Sequence, residues 1–222
     1  MRILEFWPAL IEGVWLTLLI TMLSFTFGSI LAIFITIARR SRFLVFRFLG
    51  TAYVEVFRGI PPLPWLFLVY FAFPAVGITL DAVPTGIAVF TIISAAYITE
   101  IYRSGLRAVA MGQFEASDSL GLSRFNTYYW VIVPQAIRTI FPMAIAYLIG
   151  LVKDSALVSM IGVQDITSIA VAESRTSGES MIVFLSAAAL YMLISVPIGV
   201  FGRSVEKRLV SRLKQAPQVV SA

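Results

Sequence analysis

The sequence predicts an all-α integral membrane protein with five transmembrane helices, and three observations carry that prediction. Of the 222 residues, 59% are hydrophobic and 13% charged, with a mean hydropathy of +0.91; soluble domains hold about 45–50% apolar and roughly 25% charged residues. Five long apolar runs approach the ~20 residues with which a helix, rising about 1.5 Å per residue, crosses a hydrocarbon core roughly 30 Å thick. The basic residues gather beside those runs. The chain lacks cysteine and histidine, which removes disulfides, thiol nucleophiles, most zinc sites and histidine bases. A net charge of +5 and a pI of 9.7 would suggest nucleic acid in a soluble chain. Here cytoplasmic loops and anionic membrane lipid account for the charge, so no nucleic-acid partner is expected.

The first span, 13–38, is uncharged and ends at Arg39, Arg40 and Arg42. It is too long for a signal peptide, and with Glu5 and Glu12 ahead of it the charge bias is reversed, so it stays, with its N-terminus outside. The second span is placed at 56–77; Pro61, Pro62 and Pro64 make its entry irregular. Asp81, Pro84 and Gly86 mark an outer turn before span three, 85–102, which ends near Arg103 and Arg107. Span four covers 135–155. Span five, 180–202, closes with Arg203, Lys207, Arg208, Arg212 and Lys214. This topology puts 39–55, 103–138 and 203–222 on one side, with all of the 17 basic residues except Arg2, Arg58, Lys153 and Arg175. The positive-inside bias makes that side, and the C-terminus, cytoplasmic. No internal repeat of the kind that builds single-chain carriers is visible, so a bundle this small is expected to pair with a second subunit.

The cytoplasmic loop at 112–134 interrupts the apolar chain. Gln113 to Leu120 reads as a two-turn helix with Phe114, Ser117 and Leu120 on one face and Glu115 and Asp118 on another. Gly121 suits the left-handed residue that commonly ends a helix, and Ser123 suits the cap of the next one. Pro134 cannot donate a backbone hydrogen bond and restricts its predecessor, so a bend into span four is expected there. By shape alone the loop is equally a plug for a groove on another protein or an amphipathic segment on the membrane surface.

Glu115, Ala116 and Ser117, then Gly121, Val131, Val133 and Pro134 fall at the spacing of the EAA loop of prokaryotic ABC import permeases, with Ser117 for alanine, Val131 for isoleucine and Val133 for leucine. "VEVFRGIPPLPWLFLVYF" at 54–71, "AAYITEIYRSGLRAV" at 95–109 and "LVKDSALVSMIGVQDI" at 151–166 extend the likeness over nearly the whole chain, which resembles the permease subunits of polar amino acid ABC importers. The resemblance implies the type I importer permease fold in the inner membrane of a prokaryote. It also implies a second permease subunit, identical or paralogous, two ATPase subunits gripping the EAA loops, a solute-binding protein outside and a polar amino acid as substrate. Glu115, Ala116, Ser117, Asp118, Gly121 and Pro134 are the implied coupling residues.

The chain itself has no phosphate-binding loop, because none of Lys153, Lys207 and Lys214 follows a glycine. No enzyme activity or cofactor is therefore expected in it, and ATP and Mg2+ belong to the partner ATPase. Ionised groups at bilayer depth cost roughly 2.5–3.5 kcal/mol and usually face a cavity or a partner. Glu55 with Arg58, and Glu100 with Arg103, are spaced to pair on one helix face. Lys153 and Asp154 are adjacent and so point about 100° apart; with Ser155 and Glu100 they are candidates to line the substrate pathway, Lys153 and Asp154 equally to bridge subunits. Segment 164–180 is expected to be an outer segment with its charges solvated or facing the binding protein. Gly28, Gly86 and Gly150 are expected to let helices approach closely. The competing functions are an ATP-independent channel or secondary carrier, a membrane scaffolding subunit, or an importer of an amino-acid-like solute such as an opine or cystine.

Overall fold

The computed structural model describes residues 7–214. Arg2 and Glu5, which entered the charge argument, lie outside the described residues. The order is α1 (Trp7–Arg39), α2 (Leu44–Gly59), α3 (Pro62–Phe67), α4 (Ala82–Arg107), α5 (Met111–Ser119), α6 (Arg124–Asn126), α7 (Val133–Asp154), α8 (Ile166–Ser177) and α9 (Ser180–Lys214). Four helical stretches are long and apolar enough to cross a membrane, 7–39, 82–107, 124–161 and 180–209; a fifth is bent.

In α1 the hydroxyls of Thr17, Thr21, Ser29 and Thr36 each donate to the carbonyl four residues back, so polar side chains ride in an apolar helix without an unmet bond. The helix already includes Trp7, ahead of the expected span start, and Leu10 in this added part packs with Ile166 and Ala170 of α8. Its most extensive partner is α4. At their crossing a Cβ on Gly28 would sit 2.5 Å from Ser94 Cβ and 3.1 Å from the Thr91 carbonyl oxygen, a separation only glycine permits. Gly28→Val is expected to lower the unfolding temperature of the detergent-solubilised chain, at a cost of about 1–3 kcal/mol from overpacking; an unchanged melt would contradict this packing. Gly150, expected to act similarly, has nothing within 4 Å of an added Cβ.

The expected second span is not one helix. α2 and the following stretch, Pro62–Val76, meet at 104°. A residue before proline is disfavoured in the α region, and two successive pre-proline residues here are extended, Ile60 (φ −110°, ψ 131°) and Pro61 (φ −55°, ψ 153°), while Leu63, ahead of Pro64, already lies in α3. The chain turns its corner there, continues through α3 and ends at Gly77, φ +84°.

The central core joins Ile20 of α1, Leu66 of α3, Val89, Phe90 and Ile93 of α4, Leu151 of α7 and Val158 of the 3-10 turn after it. A second core locks α8 against α1 and α9 through Leu10, Ile166, Ala170, Val183 and Leu190. Many large apolar side chains face outward, Trp15, Phe34, Ile37, Leu185, Leu193 and Phe201 among them, as lipid or a neighbouring subunit requires.

Asp165 departs from the solvated reading of segment 164–180, since it is fully buried. Its Oδ1 accepts from the Ser168 N–H at 2.8 Å, capping α8, and its Oδ2 accepts from the Tyr191 hydroxyl of α9 at 3.2 Å. Burial holds this carboxyl above the usual carboxylate range against the pull of those donors. The stability tied to its protonated form is present at low pH and is lost as pH rises through the raised value. Asp165→Ala is expected to cost about 1 kcal/mol from the lost cap. Asp165→Asn keeps the cap acceptor, and its stability relative to the native chain is expected to grow with pH; thermal melts across pH check both.

Candidate coupling helix and translocation face

α5 ends in a Schellman arrangement: the Leu122 N–H donates to the Ser117 carbonyl at 3.1 Å and the Gly121 N–H to the Asp118 carbonyl at 3.0 Å, with Gly121 at φ +68°. The Ser123 hydroxyl then accepts from the Asn126 N–H at 3.3 Å and opens the next helix. One face of α5 is spent on that helix. Ser117 is buried, Phe114 meets Tyr128 edge-on with ring centroids 6.1 Å apart, and the Gln135 amide donates to Gln113 Oε1 at 2.9 Å. The other face is open: Glu115, Ala116 and Asp118 are exposed, and no ion pair engages either carboxylate among the described residues. Met111 (72% exposed), Leu120 (78%) and Phe125 (73%) surround them. Leu120 therefore belongs to the open surface and not, as the helical pattern suggested, to the face of Phe114 and Ser117.

Pro134 does not bend the chain. Thr127–Ile132 is wound as a π-helix and runs directly into α7, with Pro134 in its first turn. The wider winding ahead of the proline accommodates a ring that would clash with an ordinary α-turn. α5 is thus fastened to the start of one continuous 38-residue span, a helical mounting where a bend was expected.

The pathway candidates separate. Tyr147 of α7 donates to Ser94 Oγ of α4 at 2.9 Å, and from that level Asp154 lies about two turns one way and Glu100 about two turns the other, roughly 20 Å apart along the bundle. Glu100 is taken up by Arg39 of α1, with Arg103 3.4 Å away, so its partner is chiefly a distant residue. Glu55 and Arg58 do not pair; Arg58 instead lies over the Tyr97 ring, 5.3 Å from its centroid, and Tyr97 stacks on Tyr147 at 5.3 Å. Ser155 is buried and donates to the Val152 carbonyl at 2.8 Å, which ties it to the helix end. Lys153 and Asp154 are exposed and unpaired with each other. Lys153 lines a groove of about 480 Å³ between α7 and α9 with Tyr191, Met192 and Ser195, and the Ser195 hydroxyl is buried without a hydrogen-bond partner among the described residues. Arg58, Tyr97 and Tyr191 were not singled out from sequence as pathway residues. Arg58 carried a signal, as an exception to the charge bias and as an ionised group within a span; the two tyrosines did not. Among the described residues no group of His, Cys, Asp and Glu could hold a metal ion.

Residues 24–211 match the family described as "Binding-protein-dependent transport system inner membrane component". In Bacillus subtilis (strain 168), the "Probable amino-acid ABC transporter permease protein YckA" is 37% identical over 205 residues, 92% of this chain and 91% of its own. The "L-cystine transport system permease protein TcyB" of the same strain is 35% identical over 206 residues, 92% and 88% respectively. Among solved structures, the crystal structure of an amino acid ABC transporter with histidines is similar at a TM-score of 0.88 and 32% identity, covering 92% of this chain and 95% of that one. A family match over most of the chain, relatives of full length and the same helical frame agree: this chain belongs to the binding-protein-dependent transport system inner membrane components.

Proposed function

We propose that the chain is the permease subunit of an ATP-driven importer of a polar amino acid, working by alternating access with its N-terminus outside and its C-terminus in the cytoplasm. A second permease subunit completes the pathway, two ATPase subunits bind and hydrolyse ATP with Mg2+, and a solute-binding protein delivers the substrate. The observation that carries this reading is the open face of α5: Glu115, Ala116 and Asp118 project from a short helix whose other face is bound to the start of a membrane-long span. A force on α5 is passed to α7 and not absorbed by a loop. Gly121 sets the angle between them, Ser117 seats α5 on its neighbour, and Pro134 sits in the continuous span that carries the motion.

For substrate, Lys153 in its groove and the exposed Asp154 offer opposite charges for the carboxylate and ammonium of an amino acid, while Ser155 holds the helix end that presents them. Glu100 belongs to the ion cluster at the other end. Cystine remains the second reading because a 35% identical relative is named for its transport. A photoreactive side chain at exposed Ala116 is expected to capture the ATPase subunit in membranes, and one at buried Ser117 is not. Equal capture at both positions, or none at Ala116, would refute the docking.

A further inference from the structure

Two cavities adjoin at the end of the bundle where α1, α2 and α4 converge. The smaller, about 380 Å³, is lined by Arg39, Arg40, Arg47, Arg103 and Arg107 with the hydroxyls of threonines. The larger, about 920 Å³, runs between α1, α4 and α7 and is walled by Ile33, Ile37, Leu106, Ile137 and Ile140. Thr36 and Arg40 belong to both, so one molecule can occupy the two together.

The charges are strongly unbalanced. Six guanidiniums line the joined cavities, with Arg124 in the larger one; against them stands one carboxylate, Glu100, which engages Arg39 and Arg103. Arg40 is pinned by the Tyr128 hydroxyl at 2.7 Å and lies 5.5 Å from the centre of that ring. Arg47 and Arg107 have no carboxylate within ion-pair distance among the described residues. Converging, partly shielded like charges call for an anion, and guanidinium forks match phosphate oxygens in particular. Beside the opening, α2 exposes Leu44, Val45, Phe48 and Leu49, an apolar flank at the membrane edge.

We propose that these joined cavities hold one anionic phospholipid, its phosphate among the arginines and an acyl chain in the isoleucine-lined groove. A phosphate is also available as a free ion, but a soluble anion leaves the apolar groove and the flank of α2 unused. An acidic surface of a neighbouring protein fits a concave pocket of this size less well than a headgroup does. Bound there, the lipid bridges α1, α2, α4 and the start of α7, the span that carries α5.

The test is native mass spectrometry of the full-length chain, delipidated in detergent and titrated with phosphatidylglycerol, phosphatidylcholine or inorganic phosphate. Phosphatidylglycerol is expected to be retained over phosphatidylcholine. Arg47→Gln and Arg107→Gln should each weaken its retention roughly 5-fold, and the double variant about 25-fold, from the attraction each basic group adds at an anionic surface. Ile137→Trp, which fills the groove without altering charge, should weaken it as well while the melting temperature stays unchanged. Equal retention of the two lipids, or native retention by the double variant, overturns the proposal. Displacement of phosphatidylglycerol by millimolar inorganic phosphate would show a soluble-anion site and overturn the lipid assignment. Loss of lipid selectivity only on adding the ATPase subunit would show that protein to be the occupant.

Discussion

Gly121→Val is expected to lower uptake by the assembled transporter at least about tenfold while leaving membrane insertion intact. Nothing lies within 4 Å of a Cβ at this position, so the substitution meets no neighbour. The cost is conformational, because Gly121 sits at φ +68° and a left-handed residue with a side chain costs roughly 1–2 kcal/mol, more for a β-branched one. That energy is enough to unmake the two bonds that end α5 and to release it from a fixed angle, and at 1.4 kcal/mol per factor of ten a fall in transport of at least about tenfold follows. Gly121→Asn, which tolerates the left-handed region, should retain most activity. Glu115→Lys acts at the other face of α5: it reverses an exposed charge with no ion-pair partner among the described residues, so folding should be unaffected and co-purification of the ATPase lost. ATP-dependent uptake and ATPase recovery, measured side by side on the variants, check both statements.

Glu100→Gln is expected to give the largest loss of stability. Arg39 is only 8% exposed and Glu100 22%; removing the carboxylate leaves a buried guanidinium without its counter-charge, a change that costs 3–5 kcal/mol for fully buried pairs. Partial exposure of Glu100 places the expectation near about 3 kcal/mol, read as a lower melting temperature in detergent. Replacing both residues, Arg39→Met with Glu100→Leu, should recover much of it, because the penalty comes from the orphaned charge and not from a net attraction between the pair. If the single variant melts like the native chain, the cluster carries no structural weight and Glu100 returns as a pathway residue.

The parts of the fold that were legible in the sequence are those set by local chemistry. The uncharged runs marked the membrane-long helices, Gly121 and Ser123 marked the end of one coupling-loop helix and the start of the next, and the spacing from Glu115 to Pro134 marked the family. What escaped depends on partners distant in sequence or on backbone winding. The Arg39–Glu100 pair joins residues 61 apart, and helical spacing suggested Arg103 instead. Arg58 turned from Glu55 to a tyrosine on another helix. Asp165 stood among polar neighbours that concealed its burial under α8 and α9. Pro134 looked like a bend because its effect was judged against an α-helix, whereas the π-wound turns before it accept the ring. In the second span the prolines were seen, but the 104° corner follows from two successive pre-proline residues held extended, which places the break inside the predicted span.

The central claim is that a partner's ATP hydrolysis, entering through α5, drives this bundle. Proteoliposomes test it directly when they contain the permease with or without its ATPase, with binding protein and radiolabelled polar amino acid outside and ATP enclosed. The account predicts accumulation against the gradient only in vesicles holding both the ATPase and ATP. Uphill accumulation by the permease alone would contradict it.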